Sequence, residues 1–238
     1  MSEWLPPFHQ TAVAFFQWGP LHEPDEAHDA SIKLRQELKK EARESRAPHI
    51  TKLRVTEPNP ESALEALRWL LSSHRSLQVL YFSSHGSQYG HLCFDADGEP
   101  SMDYAEFGRA LTRGLTGLSG RVVLVMGACF SLSHETRLEE ALPEEILEAV
   151  GFTETPSSGD VAALIAAILK SDEEMLEKVT AAAADAANTG GDVAAAAEAA
   201  FDGHESRLAR YVTEVTGKSI RHLQRGELGG WTGTTLKL

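Results

Sequence analysis

Cysteine is scarce. The chain carries Cys93 and Cys129 and no third, too few for a disulfide framework, so a reducing cytoplasm is the expected home. Long apolar runs are lacking too. None approaches the roughly 20 residues needed to span a bilayer, and Met1-Ser-Glu-Trp-Leu-Pro-Pro has no basic stretch followed by an apolar one. Neither a membrane partner nor a signal peptide is expected. Positive charge is in short supply, with 22 Lys and Arg against 35 Asp and Glu and a formal charge of −13. A nucleic-acid surface needs clustered cations to displace counterions, so nucleic acid is not expected, and basic substrates or partners are favoured by steering. There is no phosphate-binding glycine loop of either common type. His9, His22, His28, His204 and His222 show no metal-ligand spacing, so no cofactor and no metal is expected. No internal repeat is found.

What is present is a chain long enough, at 238 residues, to bury one sizeable core. Thr11 to Trp18 reads as a first strand, broken by Gly19-Pro20. From Asp25 to about Ser45, Leu34, Leu38 and Ala42 recur at helical spacing. His49 to Thr56 alternates apolar and polar residues, as a strand with one open face does. Asn59, Pro60 and Glu61 start a helix whose buried stripe is Leu64, Leu67, Leu70 and Leu71. A buried strand at 77–83 follows, then a Gly-rich turn, a strand at His91–Phe94 and an Asp95-Ala-Asp-Gly98 turn that resembles a calcium loop but lacks the remaining ligands. Asp103 caps a helix to about Arg113, with Phe107 and Leu111 four apart, and Val122 to Cys129 is the next buried strand. Repeated strand–helix–strand units predict a largely parallel α/β sheet with right-handed crossovers.

Beyond Cys129 the pattern is weaker. Glu144 to Phe152 fits a strand or a short helix, Asp160 caps a helix over 161–170, and Ala and Glu dominate to residue 200, with Asn188-Thr-Gly-Gly191 splitting that stretch into two helical pieces. A last helix is expected from His204 to Thr216 and a closing strand from Gly229 to Leu238.

Two runs concentrate chemistry. Leu77-Gln-Val-Leu-Tyr-Phe-Ser-Ser-His85-Gly86 and Val122-Val-Leu-Val-Met-Gly-Ala-Cys129 are short apolar strands that each end on a reactive side chain beside small residues. In an open parallel sheet, function collects outside the carboxyl ends of the strands. There an imidazolium at His85 would stabilise a Cys129 thiolate, and His85 would then protonate a leaving amine. The Gly86 N–H, with that of Cys129, would hold an oxyanion, while Gly127 and Ala128 leave space for a peptide backbone. Taken singly, a cysteine at a strand end is a small buried hydrophobe, as Cys93 is read to be. The pairing of Ser-His-Gly with Gly-Ala-Cys favours a cysteine peptidase.

Tyr81-Phe-Ser-Ser-His85-Gly86 followed by Val123-Leu-Val-Met-Gly-Ala-Cys129 resembles the caspase-like peptidases, the group of caspases, metacaspases, separase and the bacterial CHAT proteases. The order, histidine before cysteine, suits that group and not papain-type enzymes. The resemblance covers about residues 10–170. It implies a caspase-like three-layer α/β/α fold with a mostly parallel central sheet and a helical C-terminal region, a His85–Cys129 dyad and an oxyanion hole using Gly86. The caspase pattern Gln-Ala-Cys-Arg-Gly is absent, and Gly127 stands where metacaspases carry an aspartate. Glu154 lies where separase and CHAT-type sequences place a specificity-determining acid, with Asp160 as second choice. A protein or peptide substrate cut after a basic residue is therefore implied.

The same resemblance implies service in bacterial antiphage defence, under a nucleotide-derived or protein activator. Residues 1–170 would form the catalytic domain. The Ala-rich region 171–238 would be part of the same fold or regulatory. The alternatives are a catalytically inactive caspase-fold binding module and a flavodoxin-like nucleotide-binding domain.

Overall fold

The computed structural model describes residues 12–40, 49–74, 76–87, 91–116, 122–128, 138–152, 156–189, 191, 195–196, 220–225 and 231–236. Strands β1 (Ala12–Trp18), β2 (His49–Val55) and β3 (Leu77–Ser83) alternate with helices α1 (Glu26–Lys40) and α2 (Pro60–Ser72). Short strands β4 (His85–Gly86), β5 (His91–Cys93) and β6 (Ser101–Asp103) follow, then α3 (Tyr104–Leu115) and β7 (Val122–Met126). The chain continues through α4 (Leu138–Ala141), β8 (Ile146–Phe152), α5 (Ser158–Thr189), β9 (Ile220–Arg225) and β10 (Trp231–Leu236).

The main sheet has seven strands in the order β10-β9-β8-β7-β3-β1-β2. From β2 to β8 the ladders are parallel, and β9 and β10 join antiparallel beside β8. A strand buried on both faces needs apolar residues on both, which is why β1, β3 and β7 read as near-continuous hydrophobic runs. Val13, Phe15, Val79, Tyr81, Val123 and Val125 face α1 and α5. Ala14, Phe16, Trp18, Leu80, Phe82, Leu124 and Met126 face α2 and α3. The result is a three-layer α/β/α architecture with a mostly parallel sheet. Phe82 ties the second core together, stacked on Phe16 at 5.4 Å and tilted against Phe107 of α3 at 4.6 Å. A fully buried phenylalanine of this kind contributes about 2–3 kcal/mol.

The local start signals work as expected. Asn59 caps α2, accepting from the Glu61 N–H, and Asp103 and Glu106 form a reciprocal capping box on α3. The 95–98 segment is a turn. The Asp95 carboxylate accepts from the N–H groups of Asp97 and Glu99, and Gly98 takes φ +91°, which its missing side chain permits.

The C-terminal half differs from expectation. Ser157 caps α5, and Asp160 sits inside its first turn. The helix expected over 161–170 and the first Ala-rich helical piece form one continuous helix to Thr189, which crosses the expected domain boundary. β9 carries few β-branched residues and was not foreseen; β10 is the expected closing strand. Both belong to the main sheet. The expected helix at His204–Thr216 lies outside the described residues. No described helix is long and apolar enough to cross a membrane.

Candidate functional site

The strand order sets where a site can form. From β1 the chain crosses outward over one face, by α1, to β2; from β3 it crosses the other way over the opposite face, by α3, to β7. The loops leaving β1 and β3 therefore diverge, and a crevice opens at their carboxyl ends. His85, two residues beyond β3, lies at that crevice.

Facing it is the β1–α1 loop, which is tied down from several sides. The Gly19 N–H donates to the Val55 carbonyl at 3.2 Å. Gln17, buried beneath the loop, donates to the Pro24 carbonyl at 2.9 Å and accepts from the Ala27 N–H at 3.1 Å. Arg54, reaching across from β2, donates through Nη2 to the carbonyls of Pro20 (2.6 Å) and Glu23 (2.9 Å). Its Nη1 lies 3.8 Å from the Asp25 carboxylate. Asp25 in turn caps α1, its Oδ1 accepting from the His28 N–H at 2.9 Å. From this frame the Glu23 side chain reaches the crevice, and its Oε2 lies 2.8 Å from His85 Nε2. The pair is part-buried, with side-chain exposures of 37% for His85 and 24% for Glu23.

A carboxylate can only accept, so this contact places a proton on Nε2 and leaves Nδ1 as the nitrogen able to take one. Ser83, just below, donates to Glu26 Oε2 at 3.0 Å, and Tyr81 is hydrogen-bonded to the Ser83 side chain. Burial pushes the Tyr81 phenol far above its usual range, with the Glu26 charge adding to that and the Ser83 bond opposing it.

Gly86 follows His85 in the small β4–β5–β6 sheet. The Ser87 N–H donates to the His91 carbonyl at 3.0 Å. Alternate residues of an antiparallel strand turn their N–H groups to opposite sides, so the Gly86 N–H faces away from β5.

The strand that leads to Cys129 ends beside the strand that leads to His85. The Gly127 N–H donates to the Phe82 carbonyl at 2.8 Å, and Ala128, the residue before Cys129, is buried there. Cys129 and Glu154 themselves lie outside the described residues. Asp160 is described and is engaged with α5: its Oδ2 accepts the Ser157 N–H at 2.7 Å, and its own N–H donates to Ser157 Oγ at 3.2 Å.

One expectation about this edge is overturned. Gly127 does not leave room for a substrate backbone. A Cβ there would meet two carbons of the Tyr81 ring at 2.9 Å and its hydroxyl oxygen closer still. The space belongs to Tyr81.

Cys93 is the pairing partner of His85 across the β4–β5 ladder. It is 3% exposed, and burial raises its pKa, with the charges of Glu99 and then Asp95 adding to the effect. A thiol held protonated is a poor nucleophile. It packs, as read.

Sequence reasoning missed Glu23 and Arg54. Glu23 looks like one more acid in a Pro-rich turn, and only the adjacency of β1 and β3 brings it to His85. Among the described residues, no group of three His, Cys, Asp or Glu side chains is placed to hold a metal. No protein-family model matches the chain, and no curated protein matches it either.

Proposed function

We propose that the protein is a caspase-like cysteine endopeptidase using His85 and Cys129. The observation that carries the reading is the placement of His85. A carboxylate holds it at the crevice of the switch point, beside the carboxyl end of the strand that runs into Cys129.

The reaction divides into two acyl transfers. Cys129 Sγ attacks the scissile carbonyl carbon while the thiol proton passes to His85 Nδ1. The Gly86 N–H supports the oxyanion. Collapse breaks the C–N bond, and the proton on His85 goes to the leaving amine. Water then attacks the thioester and gives a proton to His85. The C–S bond breaks, the acid product leaves, and the proton returns to sulfur.

A basic residue before the cut fits the acidic surroundings. Glu23 and Glu26 contact the residues at the end of β3, Asp25 lies between them in sequence, Glu154 follows β8, and the chain as a whole carries −13. Control by an upstream signal in bacterial antiphage defence, through a nucleotide-derived or protein activator, completes the proposal and rests on the family resemblance alone.

The test is cleavage-site profiling with a peptide library, with and without candidate activators. Cleavage after Lys or Arg that disappears in both Cys129→Ala and His85→Ala supports the reading. Cleavage that survives either substitution overturns it.

A flavodoxin-like nucleotide-binding domain is the second reading, favoured by the parallel strand order β2-β1-β3-β7-β8, which is the order of that fold. Against it, the loop after β1 presents carboxylates where a phosphate would have to sit. A flavin or nucleotide absorbance copurifying with the protein would favour this alternative.

A further inference from the structure

The geometry points to Glu23 as the residue that positions His85 for proton transfer, an inference that rests on the His85–Cys129 reading above. Three carboxylates stand where the β1–α1 loop enters α1, and two have other tasks. Asp25 caps α1, and Glu26 accepts from Ser83. Glu23 is the one that meets the imidazole, at 2.8 Å.

A glutamate side chain on a free loop would lose much of that contact to rotamer entropy and solvent. Here the backbone of Glu23 is held on both sides. Its N–H donates to the Pro20 carbonyl at 3.2 Å, and its own carbonyl accepts from Arg54 at 2.9 Å. Arg54 belongs to β2, so the sheet itself sets the height of Glu23 above the crevice.

The consequence is chemical. With Nε2–H committed to the carboxylate, His85 is kept in the tautomer whose Nδ1 can accept the thiol proton. The imidazolium that forms then sits beside a negative charge, which favours the thiolate–imidazolium pair over the neutral one. Glu23 does not touch the reacting atoms. An amide in its place is isosteric but can donate to Nε2, which would move the ring proton to Nδ1 and block the transfer.

The experiment uses the full-length chain and iodoacetamide, a small neutral probe that needs no substrate pocket. Alkylation of Cys129 is followed at neutral pH by peptide-resolved mass spectrometry in wild type, Glu23→Gln and His85→Ala. The His85 ring tautomer is read in parallel from its 15N shifts. A charge-assisted hydrogen bond of this kind corresponds to roughly a ten- to hundredfold effect, and part exposure puts the expectation at the lower end. Glu23→Gln should slow Cys129 alkylation about tenfold and raise the Nδ1–H population of His85, with His85→Ala slowing alkylation further.

Normal alkylation and an unchanged tautomer in Glu23→Gln, with His85→Ala still slow, would overturn the positioning role and leave the dyad standing. So would normal alkylation accompanied by weakened binding of basic peptides, because Glu23 would then be a substrate-binding acid. Normal alkylation in His85→Ala would remove the dyad itself, and this inference with it.

Discussion

A methyl group at position 127 would land on the Tyr81 phenol. Tyr81 cannot withdraw, because its ring is buried against Phe15 at 5.5 Å and its hydroxyl is engaged with Ser83. Gly127→Ala should therefore cost about 1–3 kcal/mol in urea unfolding, the usual penalty for overpacking a dense core. A cost under about 0.5 kcal/mol would mean that the ring yields. Tyr81 makes a second prediction, this one in pH. Its folded pKa is raised well above the ordinary phenol value of 10.0, so the unfolded chain gives up its proton first. The stability tied to the neutral phenol is intact below pH 10 and drains away as the pH climbs toward the folded value. Over that window wild type should lose up to about 1.4 kcal/mol per pH unit more than Tyr81→Phe. Equal slopes in the two proteins would show that the phenol titrates normally. Neither effect was legible in the sequence. Gly127 beside Ala128 reads as room for a substrate, and what fills the room depends on the β3–β7 register that sets Tyr81 beside Val125.

At the scale of elements, legibility follows locality. The starts of α2 and α3 were readable because a cap and the groups it satisfies lie within three residues: Asn59 with Glu61, and Asp103 with Glu106. α5 was readable in kind and in its end near Asn188, but not as one helix running unbroken through residue 170. Its long run of alanine has high helix propensity, but an alanine-rich helix offers little side-chain volume by which to judge what it packs on. β9 was missed because its support is remote. Ile220-Arg-His-Leu-Gln-Arg has two apolar residues in six, and it is a strand because β8 offers an edge, with Glu148 opposite Gln224 and Phe152 opposite Ile220. Glu23 was missed for the same reason, since its partner is supplied by a neighbouring strand. The cap on α5 also bears on the proposed specificity. Because the Asp160 carboxylate and the Ser157 hydroxyl satisfy each other's N–H groups, Asp160→Ala should lower stability by about 1 kcal/mol and leave the preferred cleavage residue unchanged. A changed preference at unchanged stability would reassign Asp160 to the substrate.

At the scale of the molecule, the sheet decides whether residues 171–238 are separable. The motifs that carry the proposed chemistry all precede residue 170, which makes the remainder look like an added controlling part. The ladders argue otherwise. β8 is a buried strand, with Ala149 and Val150 almost fully covered, and β9 pairs along it from Glu148 to Phe152. Leu223 is buried in the α2–α3 side of the core. Arg225 holds the approach to β8, donating to the Leu142 carbonyl at 2.7 Å and the Pro143 carbonyl at 3.0 Å, while its guanidinium lies 4.6 Å from the centre of the Trp231 ring. A chain ending at residue 170 would expose the backbone of β8 as an edge, leave the Leu142 and Pro143 carbonyls without Arg225, and cut α5 part-way along. An uncovered edge of this length is a template for pairing with other chains, and the core that Leu223 covers would meet water, a loss that a marginally stable domain bears poorly. Residues 1–170 expressed alone should therefore aggregate or melt without a cooperative transition by circular dichroism. A cooperative melt, with Cys129 alkylated at the full-length rate, would instead show that the catalytic unit ends near residue 170. Control of the proposed peptidase would then lie in a detachable region. If the fragment fails as expected, any activator of the proposed peptidase would have to act on a sheet that is already complete, by shifting loops at its carboxyl edge, where the Glu23–His85 contact already joins two of them.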